Sequence, residues 1–97
     1  MSNSGNPTVE VRIPTILRPY TGGAKVVSAQ GSTLRDVISD LDGSHTGLAE
    51  RLLDGGALRR FINLYVNDED VRFIGGLDLT LKDGDSITIL PAVAGGC

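Results

Sequence analysis

The sequence predicts an α+β domain in which one mixed sheet of four to five strands packs on a single main helix. Three observations predict it. Period-two alternation of apolar and polar residues opens the ordered part of the chain and closes it, at residues 8–13 and 86–90. One amphipathic helix pattern, residues 34–41, separates an opening strand pair from the later strands. The resulting order, β-β-α-β-β-β, leaves one sheet and one helix to bury each other's apolar faces.

Residues 8–13 read T-V-E-V-R-I, so Val9, Val11 and Ile13 share the inward face of a strand that Pro14 stops. Residues 15–23, with Pro19 and Gly22-Gly23, read as a turn into a second strand at 25–30, whose register the adjacent Val26 and Val27 leave open. Ser32 or Thr33 caps the helix, Asp36 sits in its first turn, and Leu34, Val37, Ile38 and Leu41 fall at i, i+3, i+4 and i+7. Gly43 is expected to end it. A short second helix spans 48–53 and stops at Gly55-Gly56. The third strand, 60–66, turns Ile62, Leu64 and Val66 inward and Phe61, Asn63 and Tyr65 outward. Asn67-Asp68 makes a tight turn into a return strand at 71–73. Leu77, Leu79 and Leu81 lie in a loop closed by Lys82-Asp83-Gly84-Asp85, and the last strand turns Ile87 and Ile89 inward before Pro91 releases the chain. Residues 1–7 read as a disordered N-terminal extension, 8–91 as the domain and 92–97 as a flexible C-terminal tail.

A chain of 97 residues, 40% hydrophobic and 22% charged, fits one domain with one core. Trp is absent and aromatics are few, so the core is aliphatic. A net charge of −3 argues against nucleic acid and suits a basic docking partner. No apolar run is long enough to span a bilayer and no leader pattern opens the chain, so a cytoplasmic location is expected. The single cysteine has no internal disulfide partner.

Function concentrates in the tail, Ala92-Val93-Ala94-Gly95-Gly96-Cys97. Two glycines without Cβ atoms pass through a channel too narrow for other residues. The carboxylate of such a glycine is open to adenylation and then to a nucleophile. Gly96 would supply that carboxylate, Gly95 the clearance, and Ala92, Val93 and Ala94 an extended run in a partner's groove or a plain linker. While Cys97 is attached, the Gly96 carbonyl is an amide, so Cys97 is either a residue to be cleaved off or an added handle. Phe61, Tyr65, Arg60 and Arg72 are the candidate docking surface, unless the 77–81 loop covers the two aromatics. Asp68-Glu69-Asp70 reads as a solvated turn with no metal, His45 as a surface residue, and Cys97 has no base beside it to make it a nucleophile. No cofactor is expected.

V-N-D-E-D at 66–70, D-G-D at 83–85 and the ending L-P-A-V-A-G-G at 90–96 resemble the ubiquitin-like β-grasp sulfur carriers of the MoaD and ThiS types. I-P-T-I-L-R-P at 13–19, V-I-S-D-L at 37–41 and Y-V-N-D-E-D-V-R-F at 65–73 resemble the actinobacterial branch that serves cysteine biosynthesis. The resemblance implies a non-enzymatic carrier whose Gly96 is adenylated by an E1-like ATP-dependent activating enzyme, converted to a thiocarboxylate, and used by a synthase. It also implies a JAMM-type zinc metalloprotease that removes cysteine from the carrier. Carriers of this family usually end at the second glycine, and some are encoded with extra residues that such a protease trims, so Cys97 is a departure from the usual ending. Other readings are a sulfur donor for molybdopterin, thiamin or thiosugar synthesis, a ubiquitin-like modifier of lysines, or an interaction domain with an inert tail.

Overall fold

A computed structural model describes residues 6–59 and 62–91. Expectations that rest on residues 1–5, 60–61 and 92–97 lie outside the described residues. Strands β1 (Thr8–Arg12), β2 (Val26–Gln30), β5 (Ile62–Val66), β6 (Glu69–Asp70) and β7 (Ser86–Pro91) form one sheet in the order β2-β1-β7-β5-β6. The pair β1–β7 is parallel, with Val11 opposite Ile87, and the other pairs are antiparallel. Helix α1 (Leu34–Ser44) and the short α2 (Leu48–Leu52) cover the inner face, and β3 (Leu53–Asp54) and β4 (Ala57–Leu58) form a separate hairpin.

The core is what the alternation predicts. Val9 and Val11 of β1, Ile62, Leu64 and Val66 of β5, and Ile87 and Ile89 of β7 are buried, and Leu34, Val37, Ile38 and Leu41 of α1 close over them. In β2 only Ala29 is fully buried, which settles the register that Val26 and Val27 left open. Leu48 and Leu52 of α2, Leu17 and Leu81 complete the cluster.

Several boundaries differ from the sequence expectation, each for a local reason. Residues Thr15–Thr21 form a 3-10 helix rather than an open turn. The Thr21 hydroxyl lies 3.1 and 2.9 Å from the carbonyls of Arg18 and Ala24, and Leu17 is pinned into the core. Helix α1 runs past Gly43 to Ser44, because the carboxylate of Asp42 accepts from the Gly47 and Ala49 amides (3.0 and 3.3 Å) and sets the reversal further on. Thr33 is the cap, accepting from the Asp36 amide at 3.3 Å. Gly55-Gly56, with φ of 64° and 87°, is the turn of the β3–β4 hairpin, and Leu53 belongs to β3 rather than to the helix. The return strand is Glu69–Asp70; Val71–Phe73 is a 3-10 turn because the Asp70 carboxylate accepts from the Arg72 amide (2.9 Å) and lifts the chain off the ladder. Asn67 and Asp68 make the expected turn, with φ of 51° and 74°. Leu77 and Leu79 pack on the core, and Thr80 bridges to Thr33 beside α1. Pro91 is the last residue of β7, opposite Ile62, rather than a break before it. At the other end, the Pro7 carbonyl accepts from the Gly31 amide at 3.1 Å.

Gly31 joins β2 to α1 where the two backbones nearly touch. A Cβ there would lie 2.7 Å from the Val37 nitrogen and 2.8 Å from the Asp36 Cβ. Neither neighbour is a flexible chain end, so the helix itself would have to shift. Gly31→Ala is expected to destabilise the domain by about 1–3 kcal/mol, read from urea unfolding midpoints; an unchanged midpoint would show that this junction has slack.

Candidate functional site

The site to be built is the root of the tail and the outer face of the sheet around it. Strand β7 carries the tail and lies between β1 and β5. Its start is held by a dense lock. The Asp83 carboxylate accepts from the Thr8 amide (2.9 Å), the Thr8 carbonyl from Gly84 (2.9 Å), and the Asp85 carbonyl from Glu10 (3.0 Å). The Asp85 carboxylate takes bonds from the Asn67 side chain (3.0 Å) and the Lys82 amide (2.9 Å), while the Asn67 side-chain oxygen accepts from Ser86 (3.1 Å). The V-N-D-E-D and D-G-D segments therefore meet.

The Asn67 amide donates to Ser86 at 2.8 Å, which sets the phase of the β5–β7 ladder. By alternation, Tyr65–Thr88 and Asn63–Leu90 exchange hydrogen bonds and Ile62–Pro91 does not. Pro91, which has no N–H, thus sits at a position that needs none toward β5. Five residues separate Pro91 from Gly96 at most, counting Gly96 itself.

On the outer face, one row across the sheet reads Val26, Arg12, Thr88, Tyr65, Asp70. Tyr65 is half-buried there, on the predicted face. The next row toward the tail holds Leu90, 45% exposed, opposite Asn63. Phe73, 85% exposed, follows Arg72 at the same end. A phenyl ring left so open on a small domain is a partner signal; the strand expected at 71–73 does not reveal it, because Phe73 stands on a 3-10 turn. Arg72 is exposed, but its guanidinium is committed inward, 2.7 Å from the Asn63 side-chain oxygen, 2.7 Å from the Ile62 carbonyl and 3.0 Å from the Arg59 carbonyl. Of the predicted surface, the structure puts Tyr65 on the outer face opposite Thr88 and brings the Arg72 guanidinium to the tail-proximal end of β5, at Ile62 and Asn63. Arg60, Phe61, Ala92, Val93, Ala94, Gly95, Gly96 and Cys97 lie outside the described residues.

Several other polar groups have structural partners. His45 caps α1 through its backbone. The carboxylates of Asp36 and Asp40, in a shallow depression with Ser39 and Ser44, accept from the Ser32 hydroxyl (3.1 Å) and the Gln30 amide (2.9 Å). Arg51 stacks on Tyr20 and donates to its hydroxyl, tying α2 to the first 3-10 helix. Among the described residues no three His, Cys, Asp or Glu side chains converge on a metal position, and no helix is long and apolar enough to cross a membrane. The arrangement can present a tail and a docking face; it assembles no nucleophile and base among the described residues.

Residues 11–96 match the model of the ThiS family. The chain is 65% identical over 91 residues to the sulfur carrier protein CysO of Mycobacterium tuberculosis, spanning 91% of this chain and 98% of that protein. The crystal structure of the Amycolatopsis orientalis BexX/CysO complex contains a chain that superposes with a TM-score of 0.86 at 59% identity, covering 91% of this chain and 99% of the other. Small archaeal modifier protein 3 of Haloferax volcanii is 35% identical over 65 residues, 67% of this chain and 71% of that protein. The superposition, with the sheet order above, establishes the expected ubiquitin-like β-grasp fold.

Phe73 and Leu90 make no structural demand that would explain their exposure. The double variant Phe73→Ser, Leu90→Ser is expected to keep its unfolding free energy within about 0.5–1 kcal/mol of the parent, measured in urea. A larger loss would mean that these side chains pack within the domain.

Proposed function

The chain belongs to the ThiS family, and from that premise we propose that it is a sulfur carrier, itself without catalysis, that delivers sulfur as a thiocarboxylate at Gly96. One observation carries the reading: near full-length identity to a sulfur carrier, within a family match that runs through Gly96 and stops short of Cys97. Hydrolysis of the Gly96–Cys97 peptide bond, by a JAMM-type zinc metalloprotease, frees the Gly96 carboxylate. An E1-like activating enzyme transfers AMP from ATP to that carboxylate and releases pyrophosphate. Sulfide then displaces AMP and leaves the thiocarboxylate.

A synthase takes the sulfur onto its bound acceptor. For the cysteine branch the acceptor is a serine whose hydroxyl has been converted to a leaving group. The thiocarboxylate sulfur bonds to its Cβ as that group departs, giving a thioester. The acyl group then moves from sulfur to the α-amine, so that the product is cysteine in amide linkage to the carrier's terminal glycine. That linkage is the one Cys97 already makes to Gly96, so one protease serves both cleavages. The relative from Amycolatopsis was crystallised in complex with BexX, which supports a protein partner for this fold. Ala92, Val93, Ala94 and Gly95 thread the partner's channel. Tyr65, Leu90 and Phe73, with Arg60 and Phe61, form the face on which partners dock. Intracellular sulfur transfer places the protein in the cytoplasm.

The test is the intact mass of the protein from its native host, before and after ATP, an activating enzyme and sulfide. Loss of the cysteine residue followed by exchange of one oxygen for sulfur is expected. A chain that keeps Cys97 in the presence of a competent JAMM-type protease would overturn the reading. The similarity to an archaeal modifier favours a second reading, in which Gly96 is joined to lysines of other proteins; isopeptide-linked conjugates in lysate would support it and free thiocarboxylate would not.

The docking face is tested by Tyr65→Ser combined with Phe73→Ser. The expected outcome is a KM for thiocarboxylate formation raised about 10-fold or more with kcat nearly unchanged. Unaltered kinetics would remove these two rings from the interface.

A further inference from the structure

We infer that Arg72 is a positioning residue for the tail, holding the end of β5 on which the tail's root rests. This inference deepens the sulfur-carrier reading and depends on it for its kinetic consequence. The geometry begins with a shortage. Strand β6 has two residues, paired with Tyr65 and Val66, so beyond Asp70 the outer edge of β5 has no neighbouring strand among the described residues. The edge carbonyls of that stretch need donors.

Arg72 supplies them from its side chain. One terminal nitrogen lies 2.7 Å from the Ile62 carbonyl and 3.0 Å from that of Arg59; the other lies 2.7 Å from the Asn63 side-chain oxygen. The Asp70 carboxylate, accepting from the Arg72 amide, turns the chain so that this side chain can reach back. A planar guanidinium serves three separately placed acceptors at once; an ammonium is a point donor and does not.

Ile62 and Asn63 face Pro91 and Leu90 across the ladder. The parallel neighbour on the other side ends earlier: β1 stops at Arg12, opposite Thr88. Among the described residues the last two of β7 therefore rest on β5 alone, and β5 at that point rests on Arg72. Releasing the clamp would let the Ile62–Pro91 and Asn63–Leu90 pairs fray. The tail would then swing from Ile89, two residues earlier, and Gly96 would be held over a wider volume. A reacting carbonyl placed less sharply in a partner's site loses turnover rather than affinity.

The experiment uses Arg72→Lys, which keeps the charge and removes the fork, in the chain ending at Gly96. Amide hydrogen exchange is followed by NMR, and thiocarboxylate formation with the activating enzyme, ATP and sulfide is followed by mass. Exchange at Leu90 and Asn63 should quicken about 10-fold or more while Val11 and Ile87 stay within about two-fold, since only the strand end opens. In the kinetics, kcat should fall about three- to ten-fold with KM little changed. Asn63→Ala, which removes one of the three acceptors, should shift both readouts in the same direction by less.

Unchanged Leu90 exchange would overturn the clamp. A raised KM with normal kcat would overturn the positioning role in favour of docking. Equal acceleration at Val11 and Ile87 would show general destabilisation and also overturn it. A parent protein that forms no thiocarboxylate at all would instead count against the carrier reading, and the exchange data would still decide the clamp.

Discussion

The structure depends on the pairing of its last strand between its first and its third long one. Strand β7 runs parallel to β1 and antiparallel to β5, so it is central, although it closes the described chain. Parallel neighbours need a crossover, and the chain supplies it with everything from β2 to the 82–85 turn. The central pair buries Val9, Val11, Ile87 and Ile89, the floor on which α1 sits. Because Thr8 bonds to Asp83, 75 residues away, β1 cannot complete its edge until the C-terminal strand has formed. Placing the tail on a central strand anchors it to the core through Ile87 and Ile89, while the strand's last two residues lie beyond the end of β1.

The lock at the start of β7 explains why two short polar segments are informative in the sequence. Asn67 and Asp85 join, and Asp83 reaches Thr8. These are capping and turn interactions, each a side chain standing in for a backbone partner. Their residue types are tightly specified by geometry, since only short carboxylates and amides reach. The functional end of β7 is different. Its residues are small or apolar and carry no side-chain chemistry of their own, so a carrier of this kind concentrates its legible polar pattern at the end where nothing reacts.

That asymmetry also accounts for what the sequence could and could not tell. The core faces of β1, β5, β7 and α1 are legible in the sequence, because alternation and the 3.6 period translate directly into burial, whereas the adjacent Val26 and Val27 leave that of β2 open. Tyr65 was legible as outward-facing for the same reason. Short elements were not. The Val71–Phe73 turn looks like a strand by composition, and only the Asp70 carboxylate bonding to the Arg72 amide shows why it turns away. Once that segment is a turn, Phe73 becomes an exposed ring and Arg72 an inward clamp, two assignments that no periodicity contains. Gly55-Gly56 similarly reads as a helix end, because a two-residue hairpin leaves too few residues for alternation to register. The diglycine at 95–96 was the reverse case, a chemical signal with no structural pattern around it.

Pro91 connects these two kinds of information. A proline in a central strand normally argues against the assignment, because its missing N–H breaks a ladder. Here the ladder phase set by Asn67 and Ser86 leaves residue 91 unbonded toward β5, and on its other side β1 has already ended. The proline is therefore tolerated only at this one point, where the strand is paired on one side and its amide faces no partner strand. The same ring fixes φ near −65° and removes one degree of freedom from the backbone at the point where the tail begins. A chain that leaves a strand from a fixed φ has one dihedral fewer to vary at its root than a chain that leaves from any other residue. On the proposed carrier reading, what the domain contributes to the chemistry is the direction in which the chain leaves β7 toward Gly96, rather than any group that reacts.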